Sequence, residues 1–314
     1  TATWYNNNQI NATNKAILVR MDGNAIANVN GMTDTVNQLT FAVDTSDCGT
    51  FDTGTSGLVY LRATAPMIAV GTTNRITTST ATIRGRIAMT GTATDTYAIT
   101  TRRGTPAIDL LMNASIAGLS SLSLETINAS VSAGVVVFTG TNTYNGSTKI
   151  KSGTLRVNTV GASGVGAGKV EVYAGSRLEG TGVIDQTNAA STVAVSGTLA
   201  PGDPTGTMRI GSSGSENNLT LSTGSALEIR INETGCAAVS VFGSVTLTGT
   251  TTLNLVESGL PEAGTYPIIS ASNGIMGDFA QINGLSERTS VYKSADNKQL
   301  WLRIADLATL VIIK

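Results

Sequence analysis

Thr139-Gly140-Thr141-Asn142-Thr143-Tyr144-Asn145-Gly146-Ser147-Thr148-Lys149-Ile150-Lys151-Ser152-Gly153-Thr154-Leu155-Arg156-Val157-Asn158 is the stretch on which the fold turns. Lys149-Ile150-Lys151 and Leu155-Arg156-Val157 alternate apolar with polar, as short half-buried strands do. Ser152-Gly153 between them supplies the turn. The pattern then recurs. Gly153-Thr154-Leu155, Gly175-Ser176-Arg177-Leu178, Gly197-Thr198-Leu199, Gly224-Ser225-Ala226-Leu227 and Gly243-Ser244-Val245 are spaced by 22, 22, 27 and 19 residues, 22.5 on average. A turn glycine, a small polar residue and an aliphatic at such a period point to a solenoid with one coil per repeat. Lys169–Val172, Val193–Val195, Leu227–Ile231 and Val245–Leu247 read as further inward-facing strands. Outward Thr and Ser suit this arrangement, because Thr is β-branched yet polar.

Upstream, the period is looser but the character is the same. Ala16–Arg20, Leu39–Val43, Leu58–Arg62, Met67–Val70, Thr82–Met89, Tyr97–Thr101 and Val135–Phe138 all read as strands. Residues 106–124 could be helical, and strands are favoured. Three regions follow: an irregular β region over 1–136, a regular parallel β-helix over 137–304 with rungs of about 22 residues, and a tail strand over 305–314. If the whole chain coils, about 14 rungs at ~4.8 Å give a rod of roughly 65–70 Å. The fold class is therefore all-β, a parallel β-solenoid.

Composition removes several functions. The net charge is −1 and only 13% of residues are charged, so no nucleic-acid partner is expected. Histidine is absent, which excludes Ser-His-Asp and Cys-His catalysis and His-type zinc sites. No apolar run reaches the ~18–20 residues of a membrane-spanning helix. No cofactor is expected. The chain starts at Thr1 rather than Met, which reads as a mature N-terminus after signal-peptide removal. Cys48 and Cys236 could pair with each other, pair between chains, or stay as buried thiols.

The segment 139–158 resembles the passenger-associated transport repeat of bacterial autotransporter passengers, which runs TG-x-NTY-x-G-x-T-x-I-x-x-GTL-x-V. Leu199-Ala200-Pro201-Gly202-Asp203-Pro204-Thr205-Gly206-Thr207-Met208 resembles their LAPG-x-SPGTL run, and Gly264–Ser270 through Gly277-Asp278-Phe279 resembles the end of the passenger. The resemblance covers about 137–304. It implies a right-handed parallel β-helix, secreted to the cell surface of a Gram-negative-type bacterium, and it implies no catalytic residue. Autotransporters continue into a membrane barrel, whereas Gln299–Ile304 reads as the last solenoid strand here.

Leu307, Leu310, Val311, Ile312 and Ile313 form an apolar, β-favouring tail. A solenoid end is an open sheet edge, so an apolar terminal strand either caps its own solenoid or pairs with the open edge of another copy in a head-to-tail contact. This gives the leading expectation, a non-enzymatic subunit of an extracellular filament or layer whose partners are further copies of itself. The alternative is an adhesin-type passenger that binds neighbouring surfaces, with surface glycans as partners.

A third reading is a polysaccharide-active enzyme, whose candidate groups are Asp185 or Glu179 with Arg177, or Glu228 with Arg230. Any solvated strand face shows alternating charges of this kind, and aromatics for sugar stacking are scarce. Asp52-Thr53-Gly54 matches the aspartic-protease loop, but no second copy exists to share the proton. Asp44, Asp47 and Asp52 lie close enough in sequence to suggest calcium, without the spacing of a known calcium loop. Arg102-Arg103 reads as a solvated turn.

Overall fold

The computed structural model describes residues 2–3, residue 6, residues 18–187 and residues 191–306. These form a parallel β-solenoid of about 10 turns with no helix. Residues 106–124 are accordingly strand, as Leu110–Ala117 and Ser121–Thr126.

Each turn lays strands on up to three faces. The first face is an 11-stranded parallel sheet from Leu18–Met21 to Ile275–Met276. One inward position of every rung stacks on the next, giving the column Val19, Leu39, Ile68, Ile99, Leu124, Ile150, Val172, Val195, Leu221, Leu247. The second face runs from Ala2–Thr3 to Gln281–Asn283 and carries the column Val136, Leu155, Leu178, Leu199, Leu227, Leu253, Ile282. Those aliphatics bury their apolar surface between the faces, at ~25 cal/mol per Å² removed from water. No break occurs at 136/137, since Leu110–Ala117 pairs directly with Val135–Phe138.

The second column identifies the true phase of the repeat. Leu155, Leu178, Leu199 and Leu227 stack as the spacing requires. Val245, the expected fifth member, belongs instead to the first face, stacked on Leu219. The fifth position is Leu253. This mis-phasing shortened the apparent period. Rungs on the first face advance by 20 residues between Leu18 and Gln38 but by 31 between Ile68 and Ile99. The expected 14 rungs therefore become about 10 turns, or a stack of roughly 48 Å at ~4.8 Å per rung.

The third face is discontinuous. Thr33–Val36 and Leu58–Leu61 begin it, and the long strand Ala81–Met89 turns the corner from the second face to join it. The corner is Gly85, at φ 86°, where a Cβ would lie 2.1 Å from Thr53 Oγ1. Only glycine fits both demands. Past Leu110–Ala117 two turns lack a third-face strand, until Val183–Ile184 resumes it.

At the C-terminal end the parallel rule fails. Gln299–Ile304 is not a further rung; it runs antiparallel to both Gly264–Ala271 and Thr289–Lys293. A meander needs only short turns, so the chain folds back over the third face instead of coiling again.

Candidate functional site

Where the third face is interrupted, an asparagine side chain replaces the missing strand. Asn142 Oδ1 accepts from Ile116 N at 2.9 Å, while its Nδ2 donates to Gly164 O at 2.6 Å. The amide thus carries the ladder from the rung before to the rung after, as a peptide group would. Tyr144 is wholly buried beside it, its hydroxyl 2.6 Å from Thr148 Oγ1. Gly166 lies under that ring, where a Cβ would come within 2.3 Å. The Asn-Thr-Tyr of the repeat is therefore a strand substitute and its plug.

On the outer side of the second face, ion pairs span several rungs. Arg156 is the ladder partner of Glu179, and Glu179 is the partner of Ala200. Glu228 follows Leu227, whose partner is Leu199, so Ala200 separates the two glutamates. Its small side chain leaves room for guanidinium groups to cross a rung. Arg177 Nε donates to Glu179 Oε2 at 2.8 Å and Arg177 Nη1 to Glu228 Oε2 at 2.9 Å. Arg230 repeats this in reverse, reaching Glu179 at 3.0 Å and Glu228 at 3.2 Å. Arg156 donates to Glu179 Oε1 at 2.8 Å and lies 3.4 Å from Asp203, which also accepts from Asn158 Nδ2 at 2.8 Å. Three arginines neutralise three carboxylates.

Burial alone would push the Glu179 carboxyl up, but hydrogen bonds from Arg177 and Arg156 outweigh it and hold it below the ordinary range. The Arg177 hydrogen bond, ahead of burial, likewise holds Glu228 down. A general acid in glycoside cleavage needs a raised pKa. These two carboxyls are shifted the other way, and the lattice is built as a clasp across rungs. Spacing brought out Glu179, Arg177, Glu228 and Arg230; Arg156, Asp203 and Asn158 were missed. The 23-residue separation of Arg156 and Glu179, one rung, was the available signal. Asp185 takes no part and lines a recess on the third face.

Arg102 and Arg103 are not a solvated turn. Arg103 Nη1 pairs at 3.0 Å with Asp109, whose side chain is fully buried, and Arg102 Nη1 donates to Thr72 O at 3.0 Å. Asp109 further accepts from Gly104 N and Val135 N, both at 2.7 Å, so this buried charge is fully coordinated. Asp52 Oδ1 accepts from Gly54 N at 2.8 Å and Thr53 Oγ1 from Arg86 N at 2.7 Å, which makes Asp-Thr-Gly a corner brace. Asp44 pairs with Arg20, and Asp47 accepts from Thr78 Oγ1 at 2.6 Å. With Asp52 they serve three separate partners.

Cys48 and Cys236 are free thiols. They follow the second and ninth strands of the first face, seven rungs or about 34 Å apart, which no bridge spans. Burial, then Asp109, Asp47 and Asp22, pushes Cys48 up to about 12, and burial pushes Cys236 up to about 11. Leu307, Leu310, Val311, Ile312 and Ile313 lie outside the described residues.

Among the described residues, no helix is long and apolar enough to cross a membrane. Compared with known protein families and with curated proteins, the chain matches none.

Proposed function

We propose that the chain is a non-enzymatic structural subunit of an extracellular filament or cell-surface layer, assembling with further copies of itself through its solenoid ends. The observation carrying this reading is the strand Gln281–Asn283. It closes the second face and, among the described residues, pairs on one side only, with Thr252–Glu257. Leu285, just beyond it, is exposed. The same face begins at Ala2–Thr3, which pairs with Ile26–Asn28. Stacked head to tail, one copy's closing strand meets the next copy's opening end and the ladder continues, giving an open, non-closing assembly. The apolar tail, Leu307 and Leu310–Ile313, is the proposed donor strand that reinforces the contact.

The low charge, the Thr-rich outer faces and the resemblance to autotransporter passengers support secretion to the surface of a Gram-negative-type bacterium. Light scattering on the full chain tests assembly. Multimers are expected for the full chain, and monomers for Gln281→Lys, which places a charge on the edge, and for a chain lacking 307–314. A monomeric full chain overturns the reading. The second reading, an adhesin-type module, is favoured by the recess around Asp185.

A further inference from the structure

The recess occupies the part of the third face where two turns lack a strand. Loops replace pleated backbone there. The resulting cavity is about 410 Å³ and is lined chiefly by Thr141, Thr143, Asn145, Ser163, Asp185 and Thr187. That is within the ~300–1,000 Å³ typical of small-molecule sites.

Its chemistry is one-sided. Asp185 Oδ1 is shielded from solvent and has no hydrogen-bond partner among the described residues. Two of the neighbouring polar groups are committed elsewhere. Ser163 Oγ donates to Val165 O at 2.9 Å and accepts from Asp185 N at 3.1 Å, so its proton is committed. The Asn142 amide is committed at both ends, to Ile116 and Gly164. Among the described residues no lysine or arginine lines the cavity. A carboxylate oxygen shielded without a donor is costly and marks a place for one.

The missing partner must therefore bring its own donors, fit a space larger than an ion, and meet a rim of hydroxyl and amide groups. An anion is excluded by the carboxylate. A calcium ion needs six to eight oxygens, commonly several of them carboxylates, and Asp185 is the one carboxylate among the lining residues. A neutral polyhydroxy compound meets every requirement, because ring hydroxyls donate to a carboxylate in charge-assisted bonds and exchange bonds with threonines. We propose that this recess binds a neutral saccharide, with the partly exposed Asp185 carboxylate turning to accept from ring hydroxyls and Thr141 and Thr143 contacting the sugar at the rim.

The site lies on the flank of the solenoid, away from its ends, so a monomeric chain and an assembled one both carry it. The test is saturation-transfer NMR and calorimetry on the full chain. The probes are methyl glycosides of glucose, galactose, mannose, N-acetylglucosamine and N-acetylgalactosamine, with calcium chloride alone as a further probe. At least one glycoside is expected to bind saturably. Asp185→Asn should weaken it about tenfold or more, as loss of a charge-assisted hydrogen bond does, and Thr141→Val several-fold. Glu171→Gln, on the first face, should leave it unchanged. If Asp185→Asn does not fold, the exposed Thr141→Val decides. Binding of none of the glycosides overturns the proposal. So does glycoside binding indifferent to the recess substitutions, or saturable binding of calcium lost on Asp185→Asn.

Discussion

Arg177 and Glu228 are 51 residues apart in sequence, yet Arg177 Nη1 donates to Glu228 Oε2 at 2.9 Å across an intervening rung. With Arg230 crossing in the opposite sense to Glu179 at 3.0 Å, the two pairs brace three successive turns of the second face. The aliphatic columns hold each rung on its neighbour, while this lattice ties together rungs that do not touch. Glu179 is its centre, with a side chain only 5% exposed and three arginines upon it.

Glu179→Ala should therefore cost about 3–5 kcal/mol, because it leaves partly buried guanidinium groups without a counter-charge. Arg156→Ala, which leaves Arg177 and Arg230 on Glu179, should cost less. Urea denaturation of the two variants checks the order. A double-mutant cycle on Arg177 and Glu228 should show coupling of roughly 0.5–3 kcal/mol.

The same carboxylates make stability depend on acid. Glu179 and Glu228 have folded pKa values below the unfolded glutamate value, which is about 4.3. Their contribution is fully present above that value and is lost as pH falls from it through the folded pKa. Thermal melts should be flat from neutral pH to about pH 5 and fall below that. Glu179→Gln should flatten the acid limb.

Asn142→Ala should be destabilising beyond its size. Ile116 N and Gly164 O both lose a partner in a buried setting, at ~1–3 kcal/mol each. Hydrogen exchange should show the Ile116 amide losing protection in the variant, while that of Ile99, on the first face, changes little.

Both thiols should react slowly in the native protein, since each is held protonated at neutral pH by its surroundings. Ellman's reagent should titrate two thiols, with two equivalents of thionitrobenzoate released, only after denaturation. Rapid reaction of both in the native state contradicts the placement.

The solenoid was legible because its signal is local and repeated. Gly153-Thr154-Leu155 and its successors declare a turn, an outward position and an inward position in one short string. The number of turns was not legible. Rung length depends on the corner loops, and Val245 imitates the string while lying on another face. The antiparallel run of Gln299–Ile304 was hidden for a related reason: alternation marks a strand but not its direction. Glu179 and Glu228 could be named as charged strand positions, yet their association rests on Ala200, whose role appears only once rungs are in register. Asp185 was named beside Arg177, and the structure sets the two on different faces. Its sequence shows a carboxylate, while its isolation from Arg177 comes from its place on the third face.

Assembly through the solenoid ends is tested most directly by electron microscopy of the dilute full chain without additives. Head-to-tail stacking predicts unbranched fibres with an axial repeat near 50 Å, set by about ten rungs at ~4.8 Å. Isolated short rods, with no ordered end-to-end contact, would contradict it.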